Sequence, residues 1–143
     1  MVNKSRRRCS LILFIDEQLD DPAAITVHYA HDMVDEIAKR HGIVFVAIPS
    51  AEEGLKLALE NFEKIRLIIV DADFGKQVLH GLDIVRKVRK ASKEVKIMAF
   101  SSFSENNADL LAFGANYSFL KNFTCDEDLD HFKRYVESLL KIG

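Results

Sequence analysis

Residues 65–71 read Ile-Arg-Leu-Ile-Ile-Val-Asp, an almost unbroken apolar run that ends at once in a carboxylate. A run this short and this continuous fits a strand covered on both faces within a parallel sheet. The pattern recurs three times: Leu11 to Ile15 leads into Asp16, Val95 to Phe100 into Ser101, and Tyr117 to Leu120 into Lys121. If the four runs are parallel strands, their polar ends meet at the rim where open α/β sheets bind ligands. Two carboxylates, a hydroxyl and an ammonium gathered there suit a divalent metal and a phosphoryl group, with Asp71 as acceptor. Asp16 and Asp71 supply the one or two carboxylates that Mg2+ commonly takes, with Glu17 in reserve. Lys121 and the Ser101 hydroxyl would stabilise charge on the moving group and sense the finished phosphate.

Composition narrows the classes. The chain has 143 residues, 48% of them apolar, enough for one domain with a substantial core. Twenty basic and twenty-two acidic residues leave a net charge of −2, so no overall charge draws the protein to nucleic acid or lipid. The basic run Lys4 to Arg8 reads as a solvated tail, which divides the chain into a tail at 1–9 and one domain at 10–143. Cys9 and Cys125 are too few and too far apart for a metal cluster or a disulfide framework, and read as reduced thiols. The apolar stretches fall well short of the ~20 residues that span a bilayer, and Asp16 and Glu17 interrupt any signal-like segment. A cytoplasmic protein is expected.

Helical periodicity fills the gaps between runs, so strands and helices alternate and a helix-covered parallel sheet follows. Pro22 is expected to open a first helix with an apolar stripe of Ala30, Met33, Val34 and Ile37, stopped by Gly42. Ile43 to Ile48 is the second strand. Ser50 and Glu53 form a capping box before a helix buried through Leu55, Leu59 and Phe62. Leu82, Val85 and Val88 mark the third helix, with Arg86, Lys87, Arg89 and Lys90 as a solvated face. Ser104 is placed to cap a fourth helix carrying Ala108 and Leu111, and Gly114 ends it. Thr124 and Glu127 form a capping box for a last helix with Leu129, Phe132, Val136 and Leu140. His28, Asp32 and Asp35, with His31 nearby, have a spacing that would suit a metal, but they read as a hydrated face; His80 reads as an exposed loop histidine.

The segments LILFIDE, LIIVDADFG with GLDIVRKVR after it, KIMAFSSFS and FGANYSFLKNF resemble the response-regulator receiver domain of two-component signalling, over about residues 10 to 141. The resemblance implies a flavodoxin-like, doubly wound, five-stranded parallel sheet in the order 2-1-3-4-5 with five helices. It implies Asp71 as phosphoacceptor, Asp16 as a metal-binding acid for Mg2+, Ser101 as switch hydroxyl, Lys121 as the phosphate-pairing lysine, and a backbone carbonyl from Asp73 on the metal. A histidine kinase or phosphotransfer protein would donate the phosphate and a downstream protein would read it, with a weak homodimer as a further option. Such a chain is not an enzyme on an external substrate, though it assists its own phosphoryl transfer and dephosphorylation.

Four departures carry expectations of their own. The acidic pair after the first strand is either Ile15 with Asp16 or Asp16 with Glu17, which implies weaker metal binding. Asp71 to Gly81 spans ten steps where receivers usually have eight with Met-Pro between, so the Ala72 to His80 loop should have an unusual shape. Ser118 stands where the family has an aromatic switch, with Tyr117 beside it, so the aromatic readout is absent or rerouted. Asn122 replaces the usual proline after Lys121, so a trans bond is expected to displace the lysine. Two alternatives accompany the receiver: a pseudo-receiver acting as a phosphorylation-independent interaction module, and, more remotely, a haloacid-dehalogenase-like phosphatase suggested by Asp71-x-Asp73. As no output domain follows the last helix, a stand-alone receiver signalling by protein contact is expected.

Overall fold

The computed structural model describes residues 10–141. The tail at 1–9, with its basic run and Cys9, lies outside the described residues. Five parallel strands, β1 (Leu11–Ile15), β2 (Val44–Ile48), β3 (Ile65–Val70), β4 (Ile97–Ser101) and β5 (Tyr117–Leu120), form one sheet in the order β2-β1-β3-β4-β5. Helices α1 (Ile25–Arg40), α2 (Ala51–Asn61), α3 (Gly81–Ala91), α4 (Ser104–Ala112) and α5 (Asp126–Leu139) cover it. This is the expected doubly wound, flavodoxin-like fold.

Alternation along the strands sorts the core into two layers. Leu11, Leu13, Ile15, Ile68, Val70, Ile97 and Ala99 face α2, α3 and α4. Ile12, Phe14, Leu67, Ile69, Met98 and Phe100 face α1 and α5. All five residues of β1 and of β4 are buried, as sequences covered on both faces require. On the α1 and α5 side, Phe14, Phe100 and Phe132 interlock, with ring centroids 6.0 Å and 5.2 Å apart.

Helix ends depart from the sequence reading where polar side chains compete for backbone groups. The Asp16 carboxylate accepts from Gln18 N–H and opens a short 3-10 turn, Glu17–Asp20. Asp21 then accepts from Ala23 N–H, so α1 starts at Ile25, three residues beyond Pro22. Gly42 stops α1 as expected, at φ 66°, with Ile43 N–H bonded to Ala38 O at 2.9 Å. Ser50 caps α2 through Glu53 N–H. The buried face of α2, however, is Ala51, Gly54, Leu55 and Ala58, and Leu59 is exposed. In α4, Ser104 is the first helical residue and Phe103 takes the cap position, while the buried residues are Asn107 and Leu110 instead of Ala108 and Leu111. Cys125 caps α5, and Thr124 bonds Asp128 through both N–H and Oγ1. On α3, Arg89 is tied to Gly114 O and Asn116 Oδ1, and Arg86 lies over the Phe113 ring at 5.8 Å, so that face is only partly solvated. Among the described residues no three His, Cys, Asp or Glu side chains cluster to hold a metal, and His28 instead meets Asp21 O at 2.7 Å. No described helix is long and apolar enough to cross a membrane.

One close contact between helix and sheet lies under α2. A Cβ on Gly54 would stand 2.6 Å from Ile15 Cγ2, and Ile15 is fully buried at the end of β1. Gly54→Ala is therefore expected to destabilise the protein by about 1–3 kcal/mol through overpacking, read as a lower urea midpoint with an unchanged slope.

Candidate functional site

Register brings the site together. Ile15 lies opposite both Ile48 and Val70, so Asp16 and Asp71 leave neighbouring strands at the same level. Backbone bonds fix them: Asp16 N–H donates to Ile48 O at 3.1 Å and Asp71 N–H to Ile15 O at 3.0 Å. At the far side, Lys121 N–H donates to Ser101 O at 2.9 Å, which locks the end of β5 onto β4.

The Lys121 ammonium lies between the two acids, 2.9 Å from Asp16 Oδ2 and 3.1 Å from Asp71 Oδ2. The remaining oxygens are also occupied, Asp16 Oδ1 by Gln18 N–H and Asp71 Oδ1 by Ala72 N–H at 2.8 Å. No described peptide bond is cis. The expectation that Asn122 displaces the lysine is thus corrected: the backbone bond to Ser101 anchors Lys121, and its four-carbon stem reaches both carboxylates across an ordinary trans peptide.

Asp71, Ser101 and Lys121 line a cavity of about 160 Å³, together with Glu17, Asp73 and Phe103. Asp16 is fully buried beneath it and is not part of the wall. The carboxylates on the wall are therefore Glu17, Asp71 and Asp73; they do not converge as a three-carboxylate metal cluster, whereas Mg2+ commonly takes only one or two carboxylates and keeps waters on its other positions. Glu17, held in reserve on sequence, has the better access, and Asp16 acts on the cavity through its charge. Ser101 Oγ accepts from Phe103 N–H at 3.3 Å, and Ser102 Oγ donates to Lys121 O at 3.1 Å.

Burial pushes the Asp16 carboxyl up to about 6; the Asp71 charge adds to the rise and Lys121 opposes it. Burial likewise raises Asp71, against the pull of Lys121 and of backbone N–H donors. One ammonium does not balance two buried carboxylates plus the acids on the wall, so the cavity favours a further cation or a proton.

The Ala72 to His80 loop is pinned by its own side chains. Phe74 turns inward and is fully buried, while Val78 is almost fully exposed. His80 Nδ1 accepts from Phe74 N–H at 3.0 Å and Asp83 accepts from His80 N–H, so this histidine shapes the loop. Gln77, unmarked in the sequence, accepts from Ala51 N–H at 2.7 Å and donates to Pro49 O and to Glu17 Oε2, at 3.0 Å and 3.2 Å. Gly75, at φ 60°, lets the loop close on Glu17, where a Cβ would stand 2.6 Å from Oε1. Gly81 is equally constrained, because a Cβ there would stand 2.0 Å from Asp71 O.

A larger groove of about 460 Å³ lies between α4, β5 and α5, lined by Asn107, Leu111, Ser118, Phe119 and His131 among others. It lacks the convergent acids and lysine, so the candidate chemistry belongs to the smaller cavity. Tyr117 does not line the groove; like Phe119 it packs against the α1 and α5 layer, edge-on to Tyr135 at 6.4 Å.

The architecture is that of response-regulator receiver domains. A two-component response regulator from Clostridium difficile superposes with a TM-score of 0.69 at 18% identity, covering 92% of this chain and 96% of that one. The receiver domain of NtrX from Brucella abortus gives 0.68 at 22%, with 92% and 99% covered. The response regulator TrrA from Thermotoga maritima, in complex with Mg(2+)-BeF, gives 0.61 at 24%, with 91% and 98% covered. No family model and no curated protein sequence matches the chain. The haloacid-dehalogenase reading finds no support: these neighbours are receivers, and Asp71 follows the third strand instead of the first.

The raised carboxyl gives a pH signature in metal-free protein. With the Asp16 pKa at about 6 folded and 3.8 unfolded, the folded state holds the extra proton between those values, and stability from this group falls as pH rises through that window. Urea titrations in EDTA are expected to show wild type losing about 3 kcal/mol relative to Asp16→Asn between about pH 4 and pH 7. A flat difference would refute the buried-acid account.

Proposed function

We propose that this chain is a phosphoacceptor receiver domain, phosphorylated on Asp71 with Mg2+ and signalling by contact with other proteins. One observation carries this reading: Asp71 opens on an oxygen-lined cavity with Lys121 3.1 Å from its carboxylate and Ser101 on the same wall. The solved neighbours have receiver folds, and one of them was crystallised with Mg(2+)-BeF.

An Asp71 carboxylate oxygen attacks the phosphorus of a phosphohistidine on a partner kinase or phosphotransfer protein, or of acetyl phosphate. A P–O bond to Asp71 forms and the bond to the donor breaks, with the departing imidazole taking its proton from solvent. Lys121 stabilises charge on the equatorial oxygens and on the product phosphate. Ser101 offers its hydroxyl to a phosphate oxygen. Glu17 and Asp71, with the backbone carbonyl of Asp73, would hold Mg2+, which supplies charge neutralisation on the phosphoryl oxygens. Asp16 keeps Lys121 oriented. The phosphoryl donor is the one external reactant in this chemistry and the group ends on the protein itself, so the protein is read as a signalling module.

The pseudo-receiver alternative draws on the closed Asp16–Lys121–Asp71 set, whose buried polar atoms already have partners. A fixed interaction surface would then serve without phosphate, and Asp71→Asn would leave partner binding unchanged.

Intact-mass measurement after incubation with acetyl phosphate and Mg2+ is expected to show one added phosphoryl group on wild type and none on Asp71→Asn. Lys121→Ala is expected to slow acceptance by about 10²-fold, the usual loss for one preorganised charge-stabilising donor. No addition to wild type, or equal addition to Asp71→Asn, would overturn the assignment.

A further inference from the structure

Helix α4 reaches the candidate site through one buried polar side chain. Asn107 is 5% exposed and occupies an inward position of the helix. Its Oδ1 accepts from Ser101 N–H at 3.0 Å, and its Nδ2 donates to Ser101 O at 3.4 Å and to Phe119 O at 3.2 Å. A single amide therefore grips both backbone groups of the residue that carries the candidate sensing hydroxyl, and also a carbonyl of β5. The first turn of α4 is tied to the same residue, since Ser101 Oγ accepts from the N–H of Phe103, the helix cap. Little else holds α4 down: only Asn107 and Leu110 of the helix are buried. On β5, the residue three before Lys121 is Ser118, which has no ring to follow Ser101; Phe119 lines the groove but packs, like Tyr117, against the α1 and α5 layer.

We propose that Asn107 is the positioning residue that sets Ser101 and couples it to α4, so that turning the Ser101 hydroxyl toward a phosphate on Asp71 moves the helix. Buried amide groups stay hydrogen-bonded because losing a partner leaves them desolvated and unpaired. A shift of Ser101 therefore either breaks the Asn107 bonds or carries Asn107, and with it α4, along. The coupling takes the route that Ser118 cannot supply, and its output is the placement of the exposed residues Ala108 and Leu111 beside the groove. This inference rests on Asp71 being the acceptor.

Amide hydrogen exchange of the full chain, with Mg2+ alone and with Mg2+ plus saturating beryllofluoride, tests the coupling when fluorine NMR is used in parallel to establish binding. Wild type is expected to change exchange at the far end of α4, Asp109 to Phe113, by about tenfold, the equivalent of one buried hydrogen bond. Asn107→Leu, saturated with the same analogue, is expected to lose that response. If the leucine variant does not fold, Asn107→Asp decides, because it keeps an acceptor for Ser101 N–H but cannot donate to Phe119 O, and its response should fall by at least about threefold. A full α4 response in the folded leucine variant, or in the aspartate variant where that one decides, would overturn the coupling. So would bound beryllofluoride with α4 unmoved in wild type. Failure of wild type to bind beryllofluoride at all would remove the acceptor reading, and the coupling with it.

Discussion

The Lys121 ammonium between Asp16 and Asp71 is the constraint around which the rim is built. It joins the ends of β1, β3 and β5, which are 50 and 105 residues apart in the chain, into one buried set of charges. Buried charges are expensive unless paired, and losing one member strands the others at a cost of about 3–5 kcal/mol. The sheet must close in one register for the pairing to form, so the set specifies the fold at the rim more than it stabilises the chain. The backbone agrees with it, because Asp71 N–H on Ile15 O and Lys121 N–H on Ser101 O fix the same three strand ends independently.

Two carboxylates against one ammonium leave the cavity short of positive charge; burial raises both Asp16 and Asp71, and the charge of Asp71 adds to the rise at Asp16. A phosphoryl group, itself anionic, would meet an anionic wall there. The oxygen donors of Glu17, Asp71 and Asp73 supply the means to correct the imbalance with a cation, while Lys121 is already placed for the phosphoryl oxygens. The cavity and the charge count thus point to one chemistry. The larger groove beside α4 has volume but no comparable charge arrangement.

The strands and their polar ends were legible because a doubly covered strand must be apolar throughout and must become polar where it meets solvent. β3 and β5 match the sequence reading residue for residue. The order of the sheet came through the family resemblance, since nothing in an apolar run says which neighbour it pairs with. Helix faces were harder. The inward residue of α4 is Asn107, one step from the apolar pattern of Ala108 and Leu111, and it looks like a surface residue until its partners Ser101 and Phe119 are known. The buried face of α2 avoids Leu59 because the space over Ile15 admits only small residues, and Gly54 and Ala58 give a weak apolar signal. The start of α1 lies beyond Pro22 because Asp16 and Asp21 divert two backbone donors into turns before the helix can begin.

Departures from the receiver pattern gather at the rim, where the strand order turns between β1 and β3 and a crevice must open. Two neutral amides hold the segments around that crevice. Gln77 in the lengthened loop and Asn107 on α4 are uncharged amides that bond the backbone of neighbouring segments, Ala51 and Pro49 in one case, Ser101 and Phe119 in the other. An amide donates and accepts at once, so one side chain can hold two loops without adding charge to an already unbalanced cavity. Gln77 also bonds Glu17, and Asn107 bonds both the N–H and the C=O of Ser101, so each fixes a residue on the cavity wall beside Asp71. Asp71, Ser101 and Lys121 thereby share one cavity wall whose surrounding segments are held by neutral side chains.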